Sequence, residues 1–173
     1  VNADEVYWYA TADMPASTNQ ADSSSFQSAE IDGLKNLFAT FPAAVHELLV
    51  STRAVIRTDL SDLANLPKWY SGKIVLLGDA AHATTPNLGQ GGAQAIEDGY
   101  LLAKMLHDCD QPSQAFEQYQ KIRQEKARRV VSRSRLLGKM AHLKGVFQRQ
   151  LRNVAVKYTP PAVNLREFER LYS

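Results

Sequence analysis

A chain of 173 residues, 45% of them hydrophobic, carries enough apolar material for a globular core. Its net charge of +2 gives no global pull towards nucleic acid or a membrane surface. Cys109 is the only cysteine, which excludes a disulfide framework and a cysteine-based metal site and points to a reducing, cytoplasmic setting.

No apolar run approaches the roughly 18 residues that a spanning helix needs, and no signal-peptide pattern is present. The chain starts at Val1 and enters a strand-like run almost at once, which reads as part of something longer. In Val6-Tyr-Trp-Tyr-Ala10 the β-branched and aromatic residues favour a strand, with Tyr7 and Tyr9 on one face and Val6, Trp8 and Ala10 on the other. Residues 11–29 are rich in Ser, Asp and Ala and read as a loop. Ile31, Leu34, Leu37 and Phe38 recur at helical spacing, which predicts a helix over about 28–40. Pro42 suits the first turn of a second short helix, to about Val50.

Val55 to Leu60 reads as a strand and Pro67 to Tyr70 as a turn. Ser71-Gly72 leads into Ile74–Leu77, a continuous apolar run that suits a strand buried on both faces. A helix is predicted from about Gly91 to His107, with Ala95, Gly99, Leu102 and Leu106 on its packed side. Ser113 is placed to cap the next helix. Its apolar stripe is Phe116, Tyr119, Ile122, Ala127, Val130, Leu137 and Ala141. A last helix covers about 143–156, and Pro160-Pro161 stops it.

The chemistry concentrates between Lys73 and Asp98. A strand that ends in Gly78-Asp79 sets a carboxylate at the carboxyl edge of a sheet, where ligands of open α/β folds sit. Such an Asp often accepts hydrogen bonds from sugar-like hydroxyls. Gly89, Gly91 and Gly92 lack Cβ atoms, so their backbone can approach a flat ligand closely. They also open a helix, whose first N–H groups lack internal partners and carry partial positive charge. That end favours an anionic or electron-rich ligand atom, and Pro86 fixes the turn before it.

Gly78-Asp-Ala-Ala-His82, Pro86, Gly89-Gln-Gly-Gly92 and Glu97-Asp98 together resemble the second FAD-binding motif of the class A flavoprotein monooxygenases. These are the single-component aromatic hydroxylases and epoxidases related to p-hydroxybenzoate hydroxylase. The wording around Thr84-Thr-Pro86 is most similar to the urate hydroxylase, salicylate hydroxylase and zeaxanthin epoxidase branch. The resemblance extends upstream through Leu66-Pro-Lys-Trp69 and Gly72, and downstream through Tyr119, Arg123 and the basic helix.

The resemblance implies a fold class of α/β (α+β within this fragment). The chain would be the C-terminal part of a doubly wound FAD/NAD(P)-binding fold with part of a substrate-binding sheet. Residues 1–70 would be the remainder of the substrate domain, 71–110 the strand–turn–helix motif and 111–173 a helical region. It implies FAD as cofactor and NAD(P)H as reductant. It also implies oxygen insertion into an aromatic or conjugated small molecule through a flavin C4a-hydroperoxide.

Gly78 and Asp79 would hold the ribityl chain, and the N–H groups of Gly92 and Ala93 would meet the flavin pyrimidine edge. Pro86, the candidate catalytic position, would offer its carbonyl near the substrate. Gly89, Gln90 and Gly91 would shape the flavin wall. The N-terminal G-x-G-x-x-G that grips the ADP half in the family does not occur. The chain thus reads as a C-terminal half that needs its N-terminal partner or self-association, because its sheet face would otherwise be exposed. Two alternatives stand beside the enzyme reading: a non-catalytic fragment or assembly module, and a related flavoprotein reductase or halogenase.

Other residues have two readings each. Tyr7, Tyr9 and Arg57 line a substrate pocket or are ordinary sheet residues. His82 is a structural member of its turn rather than a base, and no metal site is expected because no partner sits at ligand spacing. Glu97-Asp98 is either a catalytic pair or, as the preferred reading, an instance of the acid preference near a helix start. Residues 121–152 are dense in Lys and Arg with Glu125 the lone acid, which reads as a solvated helix face rather than a surface for NADPH phosphates, an acidic partner, a membrane or nucleic acid.

Overall fold

The structure is a computed structural model; it describes residues 5–13, 28–53, 55–56, 58–160 and 163. The chain divides into two compact units, residues 1–60 and 61–173.

In the first unit, α1 (Ser28–Leu37) and α2 (Ala43–Ser51) form at the two predicted apolar periodicities. Pro42 is the residue before α2 rather than within its first turn, at φ −57° and ψ 154°. Phe38 and Phe41 meet edge to face at 5.1 Å in the connection. The Trp8 indole N–H donates to Thr52 Oγ1 at 3.0 Å, pinning the 5–13 segment to the end of α2. That segment joins no strand ladder, contrary to the strand expected over 6–10, and neither do residues 55, 56 and 58–60 of the strand expected over 55–60. Strand propensity is realised only against a neighbour, and among the described residues neither segment has one. An apolar hollow of about 210 Å³ lies between Trp8, Tyr9, Phe38, Phe41, Val45 and Leu48.

The second unit begins with a short hairpin. β1 (Tyr70–Ser71) pairs antiparallel with β2 (Ile74–Val75), with Tyr70 opposite Val75. Gly72, at φ 57°, supplies the left-handed residue that a two-residue hairpin loop requires. The expected strand Ile74–Leu77 is therefore shorter, and it is not buried on both faces: Ile74 is 69% exposed. Its one ladder partner among the described residues is β1, and nothing there covers its outer face.

α3 (Asp79–His82) is a single turn, followed by a 3-10 turn at Pro86–Leu88. α4 (Gly91–Asp108) and α5 (Pro112–Ala141) pack together, and α6 (Val146–Tyr158) follows. Ser113 does not cap α5. Pro112 takes the first helical position, where its fixed φ and missing N–H cost nothing, and Ser113 falls inside the turn.

The core gathers Trp69, Ala81, Leu102, Met105, Ala115, Phe116, Tyr119 and Ala127. Burying each large member stabilises the fold by about 1.5–3 kcal/mol. Cys109 packs at its edge. The buried face of α4 is Gln94, Asp98, Leu102 and Met105; Gly99 and Leu106, expected inside, are exposed. On α5 the buried positions include Arg123 and Ser134, while Ile122 and Leu137 face outward. Both helices are turned relative to their apolar count because paired polar groups occupy the interface.

α5 also completes the segment before β1. Gln120 Oε1 accepts from the Trp69 N–H at 2.8 Å, and Gln124 Nε2 donates to the Leu66 carbonyl at 2.7 Å. These side chains satisfy backbone groups that a neighbouring strand would otherwise serve. α6 starts three residues later than expected, after Gly145, and buries no residue. Its Arg152 donates to the Met140 and Ala141 carbonyls at 2.9 and 3.2 Å, capping the open C-terminus of α5.

Candidate functional site

The site is built where β2 runs out into Gly78. This residue has φ 56° and ψ −138°, a backbone that side chains resist. A Cβ there would stand 3.1 Å from Ala95 Cβ on α4, so glycine is required both for the turn and for the close approach. The chain then enters α3 with Asp79 first. The Asp79 carboxylate is exposed and has no side-chain partner among the described residues.

Behind this exposed acid lies a buried ionic network. Asp98 is 0% exposed and accepts three hydrogen bonds: from the Gly78 N–H at 2.8 Å, from His82 Nε2 at 2.6 Å and from Arg123 Nε at 2.6 Å. Burial works against the Asp98 carboxylate, yet the bonds from His82, Arg123 and Gly78 outweigh it and hold its pKa below the ordinary value. An ionised carboxylate only accepts, so the proton of this contact sits on His82 Nε2. Arg123, 1% exposed, also donates through Nη2 to Gln94 Oε1 at 2.8 Å. Its Nη1 lies 2.8 Å from Glu97 Oε2, an ion pair outside hydrogen-bond geometry. Lys126 closes the pairing with Glu97 at 2.9 Å. Trp69 stacks obliquely on His82 at 5.3 Å and on Tyr119 at 5.8 Å, so the imidazole has one aromatic wall and one ionic partner. Burial and then the charge of Asp98 push the Tyr119 phenol upward.

The acid reading from the helix dipole therefore fails for Asp98. It stands in the third turn of α4, and no acid occupies the first. Its purpose in the structure is to tie the Gly78–His82 turn to α4 and α5. His82 is buried and holds its turn through the bond to Asp98, the structural role that the sequence suggested.

Beyond His82 the backbone passes through Thr84 and Thr85 to the exposed Pro86. Gly89 closes the 3-10 turn in the left-handed region, at φ 63° and ψ 23°, and its N–H returns to the Pro86 carbonyl at 2.9 Å. Gln90 precedes α4 without giving its side chain as a cap. Gly91 faces Thr84, whose methyl would lie 3.6 Å from an added Cβ; at Gly92 an added Cβ meets nothing within 4 Å. The first turn of α4 thus presents amides beside an open, Cβ-free surface. An exposed carboxylate and the amides of a helix start suit a ligand with hydroxyls along one arm and an electron-rich edge. FAD has that chemistry in its ribityl chain and pyrimidine ring.

Of the residues singled out in the sequence, Gly78, Asp79, Pro86, Gly89, Gln90, Gly91, Gly92 and Ala93 lie on this one stretch of the second unit. Tyr7 and Tyr9 lie in the first unit, both exposed, with Tyr9 at the apolar hollow. Arg57 is outside the described residues. The sequence reading missed the joint role of Asp98, Arg123 and Gln94, since residues 25 or more apart carry no local signal of pairing. It also passed over Gly138. A glycine inside a long helical pattern signals a packing requirement, and a Cβ there would stand 2.7 Å from Asn87 Nδ2.

The chain is 35% identical over 147 residues to an aurachin C monooxygenase/isomerase of Stigmatella aurantiaca, covering 83% of this chain and 36% of that protein. It is 34% identical to a salicylate hydroxylase of Pseudomonas putida, covering 75% and 31% respectively. It thus spans about a third of the length of these curated relatives. A crystal structure of a point variant of Klebsiella pneumoniae HpxO with FAD matches with a TM-score of 0.74, over 91% of this chain and 42% of that one; at 21% identity this likeness shows the fold, and the expected α/β class holds. The FAD binding domain family matches residues 5–134, and the chain belongs to that family, within the class A flavoprotein monooxygenases that its motif resembles.

Proposed function

We propose that this chain is the flavin-ring half of an FAD-dependent, NAD(P)H-using monooxygenase that hydroxylates or epoxidises an aromatic or conjugated small molecule. The observation that carries the reading is the buried Asp98 network, which ties the turn that bears the exposed Asp79 carboxylate to the helix whose first turn is open at Gly92. The names of the relatives, a salicylate hydroxylase and an aurachin C monooxygenase/isomerase, support the aromatic substrate class.

Bound FAD supplies the redox and oxygen chemistry. The protein's own residues orient and stabilise. Asp79 accepts hydrogen bonds from the ribityl hydroxyls beside Gly78. The amides of Gly92 and Ala93 donate to the ring edge where negative charge develops on reduction, a preorganised electrostatic role. Pro86 turns its carbonyl towards the substrate, and Gly89, Gln90 and Gly91 form the wall beside the ring. Tyr7, Tyr9 and Arg57 belong to the substrate side in this reading, with residues 1–70 as substrate domain, 71–110 as cofactor motif and 111–173 as helical support.

The reading includes a partner. On α4, Ile96 and Tyr100 are exposed in succession, and Ile74 and Leu77 are exposed beside the motif. An apolar surface of this kind suits a protein neighbour, and the N-terminal, ADP-gripping half of the same protein is the occupant that completes the cofactor site. A cytoplasmic setting with NAD(P)H at hand belongs to the same proposal.

The test is a visible absorption spectrum of the purified chain after incubation with FAD and gel filtration, beside the same measurement on the full-length protein. Flavin retained by the full-length protein supports the reading, and none retained by either sinks it. Flavin retained by the full-length protein alone favours the second reading for the isolated chain, a non-catalytic fragment that keeps its fold.

A further inference from the structure

The Pro86 turn is held from behind by the C-terminal half of α5. Ser134, fully buried, donates from Oγ to the Thr85 carbonyl at 2.5 Å. With that proton spent, the 3.0 Å contact between Thr85 Oγ1 and Ser134 Oγ must have Thr85 as donor. Asn87 Nδ2 then donates twice, to Thr85 Oγ1 at 2.9 Å and to the Ser134 carbonyl at 3.1 Å. Every hydroxyl proton in the circuit has one destination. The circuit also has one spatial condition: a Cβ at position 138 would come within 2.7 Å of Asn87 Nδ2. Glycine is a poor residue inside a helix, and here it gives Asn87 room to reach the α5 backbone.

We propose that Ser134, Asn87 and Gly138 form a latch that sets the height of the Pro86 turn over the flavin ring. In this inference, which rests on the proposed function above, α5 fixes the turn on either side of Pro86 through Thr85 and Asn87, and the Gly89 N–H then closes it on the Pro86 carbonyl. The three are positioning residues: they act through Pro86 and reach neither flavin nor substrate. Asp79 and the Asp98 network do not share the circuit, so the latch can be loosened while the cofactor grip stays intact.

The experiment is a double-mutant cycle in the full-length protein: Asn87→Ala, Gly138→Ala and the pair together. The first readout is hydrogen exchange at the Gly89 amide, which closes the Pro86–Leu88 turn and needs no flavin to be measured. Each single variant is expected to speed that exchange about tenfold or more, and the pair is expected to match Asn87→Ala alone, since Gly138 acts through Asn87. The second readout is the fraction of NAD(P)H oxidation that yields peroxide instead of product, expected to rise with FAD affinity unchanged. Unaltered Gly89 exchange in Asn87→Ala, or additive effects in the pair, overturns the latch. Faster exchange without any change in peroxide yield overturns its role at the ring. A wild-type protein that binds no FAD overturns the functional reading and the latch's role at the ring with it, while the exchange cycle still decides the circuit itself.

Discussion

His82 Nε2 meets Asp98 Oδ2 at 2.6 Å in the interior of the second unit, sixteen residues apart in sequence. The contact joins the turn that carries Asp79 to α4, the helix that begins at Gly91. Arg123 reaches the other carboxylate oxygen from α5, so one buried acid locks three elements together. Removing one member of such a pair leaves a charge buried without its partner, which is costlier than never having built it.

The first prediction follows from that asymmetry. Asp98→Asn keeps the shape but removes the charge that faces Arg123 and His82. Unfolding of the full-length variant by urea should show a loss of about 3–5 kcal/mol. A loss under about 1 kcal/mol would mean that the network is peripheral to the fold.

The acid limb of stability is the second prediction. The folded pKa of Asp98 lies below its ordinary 3.8. Its contribution is therefore complete above that value and is lost as pH falls through the lower folded pKa. The urea midpoint of the wild type should fall more steeply than that of Asp98→Asn as pH drops below about 4, and the two curves should draw together. Parallel curves over that range would contradict the assignment.

The two glycines at the edges of the motif should behave oppositely. Gly78→Ala forces a side chain into φ 56° and against Ala95 at 3.1 Å. It should cost about 1–3 kcal/mol of stability. Gly92→Ala meets no neighbour within 4 Å and sits in a helix, so stability should hold or rise slightly. Flavin affinity should nevertheless drop in Gly92→Ala, because the added methyl covers the open surface at the amides. Thermal melts and flavin titration of both variants separate packing from binding; unchanged flavin affinity in Gly92→Ala would remove that surface from the site.

The helices and the turn that precedes α4 were legible because their signals are local. Gly91 opens α4 where the glycine run meets an apolar period, and Gly89 takes the left-handed turn that such runs exist to provide. The strands were less legible: of Ile74–Leu77 only Ile74–Val75 pairs. Val6–Ala10 and Val55–Leu60 have strand composition, but a ladder needs a neighbour, and none pairs with them among the described residues. The packed faces of α4 and α5 were misjudged for a related reason. Counting apolar residues favours Gly99 and Leu106, whereas Gln94 and Asp98 point inward because Arg123 makes their burial tolerable. Asn87 and Ser134 meet across 47 residues, a contact no spacing rule reveals; the lone signal was Gly138, a glycine with no turn to make.

The most direct test of the central claim is FAD retention by Asp79→Ala in the full-length protein. The Asp79 side chain is exposed and unpartnered among the described residues, so the variant should melt at the wild-type temperature. Its flavin should nevertheless be lost on gel filtration, because the ribityl hydroxyls lose an ionised acceptor, worth about 1.5–3 kcal/mol or roughly 10- to 150-fold in affinity. Full flavin retention by a well-folded Asp79→Ala protein would contradict the account.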